Sequence, residues 1–153
     1  ANPVFADYLE DYGKGGLRAG DFGTIDNLAR LYWFTVEFGL MQTAKGLRIY
    51  GAGILSSPGE TVFSLEDPSP NRIAFNLKRV MQTLYRVDDY QQTYFVIESI
   101  EKLFKETYAD FAPLYKELSA DKTTYGLDEV TAHDTLITKG TQAYAKSKMK
   151  QSA

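Results

Sequence analysis

Apolar side chains are densest between residues 28 and 40, where Leu28-Ala29-Arg30-Leu31-Tyr32-Trp33-Phe34-Thr35-Val36-Glu37-Phe38-Gly39-Leu40 runs with hardly a break. Wound as a helix, this run is apolar on nearly every side, which predicts an element packed on several faces rather than an amphipathic surface helix. Thr24 or Asp26 can cap its start and Gly39, in the left-handed conformation, can end it, so the expected helix runs from Thr24 or Ile25 to Phe38. Glu37 is the exception in this stretch. A carboxylate is rarely buried unless it is paired, hydrogen-bonded or bound to a metal, and here it also falls at the negative end of the helix dipole. Trp33 lies one helical turn before it on the same face, with Arg30 close to that direction one turn earlier. Two readings stand side by side: Glu37 holds a cation, or it is a core-edge carboxylate satisfied by an arginine such as Arg30 or Arg48.

Elsewhere the pattern is more broken. Asn2 to Tyr12 carries Val4, Phe5, Tyr8, Leu9 and Tyr12 at helical spacing, with Pro3 at the first helical position and Gly13-Lys14-Gly15-Gly16 at its end; Arg18 to Gly23 connects it to the central helix. Leu47 to Tyr50 and Thr61 to Leu65 read as short strands around a Gly/Ser-rich loop, Gly51 to Glu60, and Asp67-Pro68-Ser69-Pro70 reads as a turn. Ile73 to Leu84 has helical spacing. Tyr85 to Val87 and Thr93 to Ile97 are β-prone and predict a small two-stranded ribbon. Ser99 caps a longer helix through Leu118, which Pro113 interrupts. The predicted architecture is mainly α with a small β ribbon and long loops.

Composition narrows the chemistry. The 153 residues suffice for one ordinary domain, and 44% hydrophobic and 14% aromatic content, with 11 Tyr and 9 Phe, is that of a folded protein. A net charge of -3 gives no reason to expect nucleic acid. No run is apolar enough to span a bilayer and no signal-peptide pattern opens the chain, so a cytoplasmic protein is expected. With 0 Cys, disulfides, thiolate nucleophiles and cysteine-held zinc are excluded. The chain starts at Ala1, which reads as a fragment or processed piece. Residues 119–153 turn richer in Thr, Lys, Asp and Ala and are expected to form a C-terminal tail, with Lys146, Lys148 and Lys150 as a solvated basic face.

Two other places invite chemistry. The glycines of the 51–60 loop lack a Walker-type lysine and a helix pattern, so a turn with hydroxyls is the simpler reading than a phosphate cradle. His133-Asp134 holds the single histidine. On a helix Glu129 would lie one turn before it and could share a metal with it, but Ile137 one turn after cannot, so no convincing ligand set forms.

Several words, taken in order, carry a resemblance: Ala1 to Tyr8, Leu28 to Leu40, Ile49-Tyr50-Gly51-Ala52-Gly53-Ile54-Leu55-Ser56-Ser57, Ser69-Pro70-Asn71-Arg72 and Tyr94-Phe95-Val96-Ile97-Glu98-Ser99. Together they span roughly residues 1 to 118, and the chain in this span resembles the aromatic amino acid hydroxylases, the bacterial phenylalanine-hydroxylating branch above all. The resemblance implies a site in which two histidines and one glutamate hold a non-haem Fe(II) that, with tetrahydropterin and oxygen, hydroxylates phenylalanine to tyrosine. It places the glutamate ligand at Glu37. It places Trp33 and Ser56 against the substrate amino acid, with Glu60 nearby, and Ala29 and Tyr32 on the pterin side.

The family's His-Asp-x-x-x-His word, which supplies both imidazoles, is absent. His133-Asp134 imitates its first half, but Thr138 stands where the second histidine belongs. The chain is therefore expected to be the C-terminal part of a hydroxylase catalytic domain, truncated at the N-terminus, inactive alone and exposing apolar surface toward its missing N-terminal half. The alternatives are a non-catalytic binding or assembly module derived from that fold, and a helical domain with no ligand.

Overall fold

The computed structural model describes residues 24–107 and 111–152. In chain order the elements are α1 (Ile25–Tyr32), a π-helical turn (Trp33–Glu37), β1 (Leu40–Thr43), β2 (Gly46–Ile49), α2 (Ala52–Leu55), α3 (Pro58–Glu66), β3 (Asn71–Ala74) and α4 (Leu77–Met81). They continue with β4 (Thr93–Ile97), α5 (Ile100–Thr107), α6 (Ala112–Ala120), β5 (Leu136–Thr138) and α7 (Ala143–Gln151). The expected first helix, Asn2 to Tyr12, its glycine stop and the Arg18 to Gly23 connection lie outside the described residues.

The sheet is larger than the predicted ribbon. Five strands are ordered β2-β1-β4-β3-β5, with β4 parallel to both of its neighbours and the outer pairs antiparallel. All five residues of β4 are buried, because both faces of the sheet are covered there. Its side chains alternate between two cores. Phe95 faces a cluster with Leu28, Leu31, Phe34, Val80, Met81, Tyr115 and Leu118, while Tyr94 and Val96 face Leu40, Ile54 and Phe63. Such a doubly covered strand has no polar alternation, so the sequence pattern suggests a ribbon and conceals a central strand.

Further expectations are corrected locally. Thr61 to Leu65 is helical within α3, since Ser57 accepts from the Glu60 N–H as its N-cap and Pro58 stands at the first turn, overriding the β preference of Thr-Val-Phe. Part of the Gly51 to Glu60 loop folds as α2 and the start of α3. The run from Ile73 to Leu84 splits: residues 71–74 pair in the sheet, and α4 begins only after Asn76, whose side chain accepts from Arg79 N–H at 3.1 Å. Tyr85 to Val87 forms no strand. The long helix after Ser99 is two helices, with Pro113 in the first turn of the second. Residues 136–138 extend the sheet as β5, and Tyr144 of α7 packs with Phe63 and Tyr90.

Candidate functional site

The central stretch is α-helical only to Tyr32. There the Thr35 hydroxyl donates to the Leu31 carbonyl at 2.6 Å, a side-chain bond that competes with the backbone ladder, and the next turn widens. Phe38 N–H reaches back five residues to the Trp33 carbonyl at 2.8 Å, which defines the π turn. Insertions of this kind concentrate at functional sites. Gly39 follows, but it is not in the left-handed conformation; among the described glycines only Gly46 has positive φ. A side chain at Gly39 would instead run into the Tyr50 ring and the Thr35 carbonyl, so the glycine permits close approach.

The wider turn changes what meets Glu37. Glu37 is half-buried, and the Tyr32 phenol, five residues earlier, lies close enough to feel its charge. Burial, then the adjacent negative charge, pushes the phenol above its ordinary pKa, so it stays a donor. Among the described residues no ion pair joins Glu37 to Arg30 or Arg48, and Arg48 is exposed with its guanidinium on the Leu47 carbonyl. The reading of Glu37 as an arginine-satisfied carboxylate therefore finds no partner among the described residues.

Trp33 sits between two rings, Phe38 at 4.6 Å and Tyr85 at 4.4 Å, both nearly parallel to it. Tyr85 also stands edge-on to Phe34 at 6.2 Å. Phe38 is seated on Gly53, where a β-carbon would come within 2.8 Å of the ring. The Trp33 Nε1 is buried with no hydrogen-bond partner, a donor left over in an otherwise apolar stack.

Ala29 and Tyr32, one turn apart on α1, are half-buried. Ser56 caps the C-terminus of α2; it is exposed, and its hydroxyl donates to Gly53 at 3.0 Å. Glu60 is buried at 5% exposure, and its Oε1 accepts both the Tyr94 hydroxyl at 2.7 Å and the Gln91 N–H at 3.1 Å. Burial raises its carboxyl pKa despite the two bonds, which pull the other way. Its carboxylate is thus already occupied from the β4 side. Sequence reasoning missed Tyr85 and Phe38. Phe38 lies inside the central stretch and is legible in principle, whereas nothing local marks Tyr85, which reaches Trp33 only through tertiary packing.

His133 is exposed at the mouth of a cavity of roughly 300 Å³ that Arg79, Tyr125 and Asp134 also line. Asp134 is tied to Arg79 by bonds of 3.0 and 3.2 Å and accepts the Thr131 N–H at 2.8 Å, so the pair is structural. No group of three His, Cys, Asp or Glu residues able to hold a metal occurs among the described residues. Glu37 fits a metal as one carboxylate ligand steadied by a phenol. With a single histidine in the sequence, exposed and on another loop, the chain cannot build a two-imidazole site.

Comparison with known proteins shows the family and the fold. The family described as biopterin-dependent aromatic amino acid hydroxylase matches residues 1–147. The chain is 59% identical over 144 residues to a phenylalanine-4-hydroxylase of Caulobacter vibrioides, covering 94% of this chain and 49% of the relative. It is 55% identical over 139 residues to that of Chromobacterium violaceum, covering 91% and 46%. A crystal structure of the Chromobacterium violaceum enzyme with iron and phenylalanine bound superposes with a TM-score of 0.85 at 55% identity, covering 89% of this chain and 50% of that one. The chain spans about half the length of the curated relatives it matches.

Proposed function

The chain belongs to the biopterin-dependent aromatic amino acid hydroxylase family, and from that premise we propose that it contributes one carboxylate ligand and an aromatic substrate wall to an iron- and tetrahydropterin-dependent monooxygenase converting phenylalanine to tyrosine. One observation carries the reading. Glu37, half-buried at the end of a π turn, has the Tyr32 phenol beside it and, among the described residues, no arginine paired with it. The iron, when bound with reduced pterin and oxygen, supplies the oxidising chemistry.

The chain's own residues do the rest of what is proposed for this half of the site. Glu37 offers a negative oxygen at a fixed place, and the neighbouring Tyr32 phenol orients it, as outer partners of metal-binding carboxylates do. Trp33, Phe38 and Tyr85 stack as one apolar block, against whose outer side an aromatic ring can pack away from water. Ser56, exposed at the α2 terminus, offers a hydroxyl to the substrate amino acid, with Glu60 behind it. Ala29 and Tyr32 face the pterin. The two imidazoles are to come from outside this chain, from the part of the relatives' length that it does not span; within the cell the cytoplasm is the expected setting. Among the described residues no helix is long and apolar enough to cross a membrane.

The test joins this chain to the N-terminal half of the Caulobacter vibrioides relative and measures tyrosine formation from phenylalanine with a reduced pterin. The joined protein is expected to turn over while the 153-residue chain alone does not, and Glu37→Gln in the joined protein is expected to lose activity. Full activity with Glu37→Gln contradicts the proposal.

A further inference from the structure

Glu60 lies apart from the Trp33 stack in its own contacts, yet hydrogen bonds lead from it through Gln91 to the Arg86 backbone, one residue from the stacked Tyr85. Its Oε1 accepts the Gln91 N–H at 3.1 Å, with Tyr94 Oη holding the same oxygen at 2.7 Å. Gln91 is 2% exposed, and its side-chain amide closes on the Arg86 backbone from both sides: Oε1 accepts Arg86 N–H at 3.1 Å and Nε2 donates to the Arg86 carbonyl at 2.5 Å. Arg86 follows Tyr85 directly. Tyr85 lies in no helix or strand, so its backbone has no ladder to hold it, and yet its ring is 15° from parallel with Trp33 at 4.4 Å.

We propose that Glu60 is a positioning residue which, through Gln91 and the Arg86 backbone, holds Tyr85 flat against Trp33 and so sets the aromatic wall of the site. A buried acid accepting two hydrogen bonds makes a rigid anchor, because releasing it leaves Tyr94 Oη and the Gln91 N–H buried and unsatisfied. Gln91 acts as a clamp that replaces the missing strand pairing of residues 85–87. The effect on substrate rests on the proposed role of the Trp33 stack as a substrate wall; the relay itself does not.

Trp33 is the single tryptophan of the chain, so the long-wavelength edge of the near-ultraviolet dichroism, beyond tyrosine absorption, and the emission excited there report its surroundings. The experiment compares Glu60→Ala, Glu60→Gln, Gln91→Leu and Tyr85→Leu in the 153-residue chain, with far-ultraviolet dichroism confirming the fold. Tyr85→Leu identifies the band that comes from the stack. Gln91→Leu and Glu60→Ala are expected to lose at least half of that band, and Glu60→Gln, whose oxygen still accepts both bonds, is expected to keep it. Should Glu60→Ala fail to fold, Gln91→Leu and Glu60→Gln decide. A folded Gln91→Leu with the band intact, or Glu60→Gln losing as much as Gln91→Leu, overturns the relay. In the joined enzyme the same Gln91→Leu is expected to raise KM for phenylalanine severalfold at unchanged iron content. An unchanged KM with the band lost rejects the substrate wall and leaves the relay supported.

Discussion

Removing the Asp134 carboxylate is expected to destabilise the chain more than any change at the neighbouring histidine. Asp134 and Arg79 are 4% and 7% exposed in their side chains and meet through two bonds, Nε to Oδ1 at 3.0 Å and Nη2 to Oδ2 at 3.2 Å. The same guanidinium donates to the Glu129 carbonyl at 2.6 Å and to Thr83 at 2.7 Å and lies 4.1 Å over the Tyr125 ring. Asp134→Ala leaves this cation buried without its counter-charge and frees the Thr131 N–H, a loss of about 3–5 kcal/mol. With a urea slope of about 2 kcal/mol/M, the unfolding midpoint falls by roughly 2 M. Burial pushes the Asp134 carboxyl up, but the Arg79 bonds and the Thr131 N–H outweigh it and hold it below the ordinary value. Its stabilisation is therefore present above the unfolded pKa of about 3.9 and is lost as pH falls through the lower folded value, so the penalty of the substitution shrinks in acid. His133→Ala, at an exposed position, stays within about 0.5 kcal/mol of the parent. A midpoint shift under about 0.5 M for Asp134→Ala at pH 7, or an equal shift for both variants, would refute the reasoning.

Two further outcomes are expected. Phe95→Ala removes a fully buried ring that meets Phe34 edge-on at 5.0 Å and is predicted to cost about 3–5 kcal/mol in a denaturation experiment; a loss under about 1 kcal/mol would place β4 outside the core. Glu60, whose pKa burial raises, binds its proton more tightly folded than unfolded, so stability should fall as pH rises from the unfolded pKa through the folded one. Glu60→Gln should flatten that part of the stability profile, and an unchanged profile shows that Glu60 does not contribute to it.

What the sequence disclosed and what it hid follow from the range of the interactions. The dense apolar run at residues 28–40 disclosed a multiply packed element and its odd carboxylate, because both are local. It did not disclose the π turn, which depends on the Thr35 hydroxyl bonding back to Leu31, so α-helical spacing points from Glu37 to Trp33 and Arg30 while the wider turn brings Tyr32 near it. The helical spacing at 73–84 hid β3, because Asn71–Ala74 owes its strand to β4, over twenty residues later. Tyr85 escapes notice for the same reason: its role exists only once Gln91 and Glu60 fix the turn that carries it.

The measurement that bears most directly on the role of Glu37 is the iron dissociation constant of the joined protein with Glu and with Gln at position 37, read from metal titration without turnover. The Gln protein is expected to fold but to bind iron more than about a hundredfold more weakly, a larger loss than outer partners of a metal site give. Iron held equally tightly by both would show that Glu37 is not a ligand.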